Sequence, residues 1–130
     1  MSEADNRRAV ERLFEGLNAK NPDVMNELFS DDSVMSYPQS GEIIRGAANR
    51  QGVYRTGSGL PSIAPYRTIA SGDIVVTEAI LTYGGDDRYN TVFIFECSDG
   101  KIVRETAYWS KPFPAAESRA AWVEKATPGT

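Results

Sequence analysis

The sequence predicts an α+β fold in which helices come first and an antiparallel sheet follows. Two patterns support this prediction: apolar residues recur at helical spacing in the first third of the chain, and branched and aromatic residues dominate from residue 66 onward. Helices that precede a run of strands are typical of the α+β class. A chain of 130 residues is long enough for one domain with its own core and too short for two, so a single domain is predicted over residues 1–130.

The first helix is predicted over residues 4–19. Val10, Leu13, Phe14 and Leu17 follow one another at i, i+3, i+4 and i+7. Residues at this spacing lie on one face of a helix with about 3.6 residues per turn. We therefore expect these four side chains to form the buried face of the helix.

A short second helix is predicted after it. Asn21 can cap this helix, and Pro22 suits its first position. An apolar face runs from Val24 to Phe29, and the polar residues 30–32 are expected to end the helix. The chain then continues as an extended segment into Tyr37-Pro38.

Two weaker helices complete the predicted helical part. One runs from Gly46 to about Arg55, where Gly52 lowers the helix propensity and the following TGSGLP stretch stops the helix. The other is a short helix near the C-terminus that carries Trp122 and Val123 and follows two prolines.

Four strands are predicted in the second half. The first lies near residues 65–70, and the others are SGDIVVTEAILTY, YNTVFIFEC and KIVRETAYW. GGDD and Ser98-Asp99-Gly100 supply turns between the last three runs, which we expect to pair as consecutive antiparallel strands.

The charge and the hydropathy of the chain argue against nucleic-acid and membrane partners. The net charge is −4, and no basic run of four or more residues occurs, so a nucleic-acid partner is not expected. No apolar run approaches the length of a membrane span, and MSEADNRRAV lacks the apolar core of a signal peptide. We expect a cytoplasmic protein without a membrane partner.

The chain contains no histidine. Its absence removes histidine-activated nucleophiles and most zinc sites, so acid–base chemistry must use carboxylates, tyrosine, lysine or arginine. Cys97 stands alone and is expected to be inert packing. Asp31-Asp32 lacks a third ligand at useful spacing, and no glycine-rich phosphate loop follows a strand. We expect neither a metal nor an organic cofactor.

Several stretches together resemble the nuclear transport factor 2-like superfamily, and within it a SnoaL-like and ketosteroid isomerase-like group of unassigned activity. They are ERLFEGLNAKNPDVMNELFSDD, SGEIIRG, the third helix ending at Tyr54, and DGKIVRETAYW, and they cover most of the chain. The resemblance implies a cone-shaped, cystatin-like roll: a curved antiparallel sheet with three N-terminal helices over its concave face. It also implies a pocket for a small hydrophobic molecule and a homodimer through the outer face of the sheet.

The chain departs from the catalytic patterns of these relatives. The ketosteroid isomerase pattern has a tyrosine in the first helix, an aspartate before the proline and an acid on the second long strand; Leu13, Tyr37 and Thr91 stand there. The SnoaL cyclases and scytalone dehydratase use histidine. Limonene epoxide hydrolase-like members use an Asp-Arg-Asp set, where this chain has TEAIL. None of these routes is expected here.

Strand alternation selects Glu105 as the remaining acid–base candidate. Successive strand residues point to opposite faces, so Val103, Glu105, Ala107 and Trp109 are predicted on one face and Ile102 on the other. The resemblance implies that the face of Ala107 and Trp109 lines the pocket. Glu105 would then lie in an apolar hollow, where burial raises its pKa and makes it a suitable general acid or base.

Each candidate has a purely structural alternative. Glu105 could instead pair with an arginine such as Arg67 at a solvated edge. Tyr37 and Tyr54 could be hydrogen-bond donors to a ligand or core aromatics whose hydroxyls reach a rim. The predicted catalytic residues are Glu105, Tyr37 and Tyr54, and the predicted ligand-binding residues are Leu13, Leu17, Tyr37, Tyr54, Thr91, Phe93, Ala107 and Trp109.

These residues predict a pocket protein for a small, apolar, oxygen-bearing metabolite. If it is an enzyme, cofactor-free proton transfer is the expected chemistry: isomerisation, dehydration, cyclisation or epoxide opening. The alternatives are a ligand-binding or dimeric accessory module without chemistry, and a structural dimer whose own aromatic side chains fill the cone. An open cavity beside Glu105 would separate the first reading from the last.

Overall fold

The structure, a computed structural model, describes residues 2–56 and 59–126 and has the predicted order of helices before sheet. The helices are α1 (Glu3–Asn18), α2 (Asp23–Leu28), α3 (Gly46–Thr56) and a C-terminal 3₁₀ helix (Glu117–Trp122). The strands are β1 (Phe29–Tyr37), β2 (Glu42–Arg45), β3 (Ser62–Ser71), β4 (Ile74–Gly84), β5 (Asp87–Ser98) and β6 (Lys101–Ser110). None of the described helices combines the length and the apolar character that a membrane crossing requires.

The first helix lies where its periodicity predicts. Ser2 and Asp5 form a capping box, in which the Ser2 Oγ accepts from the Asp5 backbone N–H at 3.1 Å. The four residues of the predicted apolar face are buried. On the same helix, Gly16 meets α2 so closely that a Cβ there would lie 2.5 Å from a methyl carbon of Val24. The absence of a side chain at Gly16 therefore sets the close packing of α1 against α2.

The second helix is shorter than predicted. The Asn21 Oδ1 accepts a hydrogen bond from the Asp23 backbone N–H at 3.2 Å, but Pro22 occupies the cap position predicted for Asn21, and the helix gives way to strand β1 at Phe29. The prediction that residues 30–32 end the helix was wrong. They lie within β1, where the pairing with β6 is interrupted between Phe29 and Val34.

The six strands form one curved sheet in the order β2-β1-β6-β5-β4-β3. All neighbouring pairs are antiparallel except β1 and β6, which are parallel. The extended segment before Pro38 thus joins the sheet, and β2 was not predicted at all. Its four residues, Glu42–Arg45, are too few to show a clear alternation.

Strand β6 contains a bulge that corrects the predicted faces. Cys97 pairs with Ile102, whereas Glu96 pairs with Arg104, so Val103 is an extra residue in the ladder. Because of this insertion Ile102 is fully buried in the core, although regular alternation predicted it on the opposite face from Glu105. The predicted faces hold only from Arg104 onward.

The turn between β5 and β6 has the predicted place and a clear local cause. Asp99 and Gly100 have φ values of 51° and 77°, and Ser98 pairs with Lys101. A two-residue Asp-Gly loop with both φ values positive is the favoured hairpin connection. At the C-terminus, Trp122 belongs to the 3₁₀ helix and is 84% exposed, while Val123 lies beyond its end.

The three α-helices pack on one face of the sheet. α1 contacts β3, β4 and β6, and α3 contacts β1 and β2. The inner face of the sheet carries alternate buried residues of the long strands. On the opposite side, which we call the outer face, a row of directly paired residues crosses four strands: Ile69, Val76, Ile94 and Thr106.

Candidate functional site

A cavity of about 240 Å³ lies between the helices and the inner face of the sheet. Because this cavity is open, the aromatic side chains do not fill the cone, as the structural alternative required. The nine residues predicted for the site all line it: Leu13, Leu17, Tyr37, Tyr54, Thr91, Phe93, Glu105, Ala107 and Trp109.

The lining differs in exposure from one end to the other. Leu13, Thr91 and Glu105 are buried and mark the inner end. Val53 and Tyr83 are 43% and 45% exposed and mark the rim. A ligand that enters at this rim would reach the Glu105 carboxyl at the inner end.

Half of the lining was missed from the sequence, although part of it follows the same alternation. Leu81 and Tyr83 continue the inner face of β4 beyond Ala79, and Tyr89 precedes Thr91 on the inner face of β5. The remaining residues come from α1, α3, the short strand β2, the segment before β3 and the start of β3 itself, where Ile63 lies. The lining residues that were not predicted are Phe14, Glu42, Val53, Gly59, Pro61, Ile63, Leu81, Tyr83 and Tyr89.

Glu105 is 4% exposed and faces the cavity from the centre of β6. Burial raises the pKa of Glu105 to about 8, and the positive charge of Arg50 opposes this rise. The alternative pairing with Arg67 does not occur, because Arg67 forms its ion pair with Glu78. No hydrogen bond to the Glu105 carboxyl is formed within residues 2–56 and 59–126, so this carboxyl is available to a ligand.

Two phenol groups stand beside Glu105. Tyr37 comes from β1, next to the Met35 position that pairs with Glu105, and Tyr54 comes from α3. The two phenols lie close enough for each to influence the pKa of the other, and the Tyr37 ring packs edge-on against Trp109 with centroids 4.8 Å apart. Burial and the nearby Glu105 raise the pKa of both phenols, so both remain protonated donors at neutral pH.

Sequence reasoning missed Arg50, which is buried behind the cavity wall at 1% exposure. Its guanidinium donates to the Ser33 Oγ at 2.6 Å and to the Asn26 Oδ1 at 3.5 Å, and lies 5.0 Å from the centre of the Phe29 ring. Its Nε has no hydrogen-bond partner within the described part of the chain. Arg50 ties α2, α3 and β1 together and places a positive charge near Glu105.

Arg50 lines a second, smaller cavity of about 30 Å³ and not the main one. This second cavity lies between α2 and α3, and Tyr54 lines both cavities. Burial lowers the pKa of Arg50, whereas the negative charges of Asp31 and Glu105 raise it. Arg50 therefore acts on Glu105 through space and does not line the main cavity.

The arrangement supports acid–base chemistry by the side chains of the cavity. A carboxyl with a pKa of about 8 is present in both protonation states near neutral pH, which suits a group that accepts and returns a proton. The two phenols can donate hydrogen bonds to an oxygen that becomes negative. Within the described ranges, no three acidic or cysteine side chains come together as a metal-binding group.

Comparisons with known proteins agree with this fold. A family model for the SnoaL-like domain matches residues 10–105. A comparison with curated protein sequences gives no significant match. The structure of a nuclear transport factor 2-like protein of unknown function from Burkholderia xenovorans is 33% identical, with a TM-score of 0.82 over 96% of this chain and 98% of that chain.

Two further solved structures carry names that suggest chemistry. A protein from Kribbella flavida, proposed as a ketosteroid isomerase, is 25% identical with a TM-score of 0.87, covering 97% of this chain and 93% of that one. An M. tuberculosis epoxide hydrolase, similar to limonene epoxide hydrolase, is 25% identical with a TM-score of 0.70, covering 82% and 84%. Because the family model spans well over half of its residues, the chain belongs to the SnoaL-like domain family, within the nuclear transport factor 2-like fold.

Proposed function

We propose that this protein binds a small, mostly apolar metabolite with an oxygen function and catalyses proton transfer on it without an organic cofactor. The observation that carries this proposal is the buried carboxyl of Glu105, which faces an apolar cavity beside two neutral phenols. The reaction class is isomerisation, dehydration, cyclisation or epoxide opening. The names of the similar structures from Kribbella flavida and M. tuberculosis favour this class.

In this mechanism Glu105 moves the proton and the phenols hold the substrate oxygen. In an isomerisation, the ionised carboxyl takes a proton from the carbon next to a carbonyl group, and Tyr37 or Tyr54 donates a hydrogen bond to the carbonyl oxygen as negative charge develops there. The protonated carboxyl then returns the proton at the product position. The apolar walls exclude water, which strengthens these electrostatic interactions.

A ligand-binding module without chemistry is the second candidate. It is favoured by the replacement of all three ketosteroid isomerase positions, at Leu13, Tyr37 and Thr91. For either function we propose a homodimer through the outer face of the sheet, where Ile69, Val76 and Ile94 form an apolar row across three strands and Thr106 continues it on β6.

The test begins with a ligand screen by thermal shift, because a ligand that binds the native state stabilises it. For a compound from the screen that the protein converts, Glu105→Gln should abolish turnover while retaining affinity for the compound. Tyr37→Phe should weaken binding with a smaller loss of rate. Glu96→Gln removes a carboxylate from the outer face of β5 and serves as the matched control. Unchanged turnover in Glu105→Gln would contradict the catalytic role and leave the binding module.

A further inference from the structure

The cavity lining is rich in aromatic side chains, which can bind a cation as well as an apolar group. Four tyrosines, two phenylalanines and one tryptophan line the cavity. The faces of aromatic rings carry negative charge density and attract cations that come within about 6 Å of the ring centre. We call these seven rings the aromatic box, and a positive group in the cavity would be attracted by each ring that turns its face toward it.

The charged residues of the lining have a single sign. Glu105 lies at the inner end and Glu42 at the rim, and no lysine or arginine from residues 2–56 or 59–126 lines the cavity. The net charge of the chain is −4 as well. Within the lining, an anionic ligand would thus meet two carboxyl groups and no positive side chain, whereas a cation would meet the rings, the Glu42 carboxylate and the ionised form of Glu105.

The groups that face Glu105 from the neighbouring elements are few. β1 contributes the Tyr37 phenol, and α3 contributes the Tyr54 phenol and the Arg50 guanidinium. α1 contributes only apolar side chains to the lining. Arg50 lies outside the lining, is bound to Ser33 and Asn26, and favours the ionised form of Glu105, which is the form that an ammonium group would contact.

We propose that the natural ligand of this cavity carries a basic nitrogen and binds as a tertiary or quaternary ammonium cation, held by the aromatic box between Glu42 and Glu105. This inference rests on the proposed function, because it names the substrate class of the same cavity. The oxygen function of the ligand would lie against the phenols, and the ammonium group would fill the space between the rings and a carboxylate.

The proposal has a consequence that a neutral ligand would not share. Most Glu105 side chains are protonated at neutral pH, because burial raises the pKa to about 8. A cation bound beside this carboxyl favours its ionised form and lowers that pKa. Binding of a permanently charged ammonium ion should therefore release a proton near pH 7 and tighten as the pH approaches 8, whereas a neutral ligand should do neither.

Three small probes with one shape test the inference on the unmodified protein. Choline carries a trimethylammonium group, its carbon isostere carries a neutral tert-butyl group, and the carboxylate with the same tert-butyl skeleton carries a negative charge. We expect choline to bind roughly tenfold more tightly than the neutral isostere, and the carboxylate to bind most weakly. Calorimetry in buffers of different ionisation enthalpy measures both the affinity and the protons released.

Two variants assign the proton and control for net charge. Glu105→Gln should remove the proton release and reduce the preference for choline, because an amide of similar size cannot ionise. Glu96→Gln changes the total charge by the same amount on the outer face and should leave both unchanged. Thermal unfolding of each variant checks that it is folded.

The possible failures are distinguishable. If the neutral isostere binds as tightly as choline, the inference of a cationic ligand is overturned, and the pocket proposed above remains. Tighter binding of the carboxylate overturns it equally. If none of the three probes binds, the inference is also overturned, and a neutral, oxygen-bearing hit from the wider screen would still support the proposed function.

Discussion

At the scale of single residues, Glu105 is held between two opposing influences. Burial favours the neutral carboxyl, while the guanidinium of Arg50 favours the carboxylate. Neither group has an ion-pair partner within 4 Å in the described part of the chain, so each influences the other without a direct contact. This balance places the pKa of Glu105 near the pH at which a general acid–base works best.

The raised pKa of Glu105 predicts how stability depends on pH. Below about pH 4 the carboxyl is protonated in both the folded and the unfolded state. As the pH rises toward 8, only the unfolded state ionises, so the folded state loses up to about 1.4 kcal/mol per pH unit; above that pH the loss is constant. Relative to Glu105→Gln, the free energy of unfolding of the wild type should fall by roughly 2–4 kcal/mol between about pH 5 and about pH 8.

Denaturant unfolding of both proteins at several pH values measures this difference. Glu96→Gln is the control, because its carboxylate is on the outer face and paired with Arg104. A difference between wild type and Glu105→Gln that does not change with pH would show that Glu105 is not a buried neutral acid.

Arg50 permits a second residue-scale prediction. Arg50→Met removes the positive charge and should raise the pKa of Glu105 further, since only burial then acts on it. Arg50→Lys retains a positive charge but cannot reproduce the two hydrogen bonds to Ser33 and Asn26, so the pKa should stay closer to that of the wild type. Carbon NMR titration of the Glu105 carboxyl measures the pKa directly. Equal pKa values in the two variants would mean that Arg50 acts only by positioning the backbone.

At the scale of elements, regular patterns were predictable and irregular ones were not. The face of α1 follows from four apolar residues at helical spacing, and the β5–β6 hairpin follows from Asp99-Gly100 between two long branched runs. The bulge at Val103 leaves no mark in the sequence, because Ile102 and Val103 are equally apolar and only the pairing with β5 decides which is buried. Strand β2 is stabilised by its pairing with β1 and not by its own four residues.

The contact between α1 and α2 gives an element-scale prediction. Gly16→Ala adds a Cβ at 2.5 Å from Val24, so overpacking should cost roughly 1–3 kcal/mol and outweigh the gain in helix propensity of about 1 kcal/mol. At Gly52 in α3, a Cβ would meet no described atom within 4 Å, and Gly52→Ala should stabilise the protein by about 0.5–1 kcal/mol. Thermal or denaturant unfolding of the two variants measures both. A stabilising Gly16→Ala would show that α2 moves freely relative to α1.

At the scale of the whole molecule, many residues of the cavity could be predicted from the sequence, but its ligand could not. Alternation in β5 and β6, with the resemblance that chose the face, gave Thr91, Phe93, Glu105 and Ala107 in the cavity lining. The rim and Arg50 were not predictable, because they depend on how α3 and the segment before β3 approach the sheet. The ligand depends on the combined lining of several elements, which no single stretch of sequence displays.

The proposed homodimer gives a prediction at this scale. Ile94 lies on the outer face of β5 and is paired directly with Val76 on one side and Thr106 on the other. Ile94→Glu should convert a dimer into a monomer, because it would bury a charge in the interface. Ala48→Glu adds the same charge to α3, on the helical side, and should leave the dimer intact. Sedimentation equilibrium of the three proteins measures the association, and a monomeric wild type would contradict the proposal.

The positions of the two tryptophans give the molecule a built-in optical reporter. Trp109 lines the cavity against Tyr37, while Trp122 is 84% exposed on the C-terminal 3₁₀ helix. These are the only tryptophans in the chain, so Trp122→Phe leaves a single indole emitter inside the cavity. Its fluorescence would then follow occupancy of the cavity directly, and compounds could be ranked by emission alone before any reaction is known.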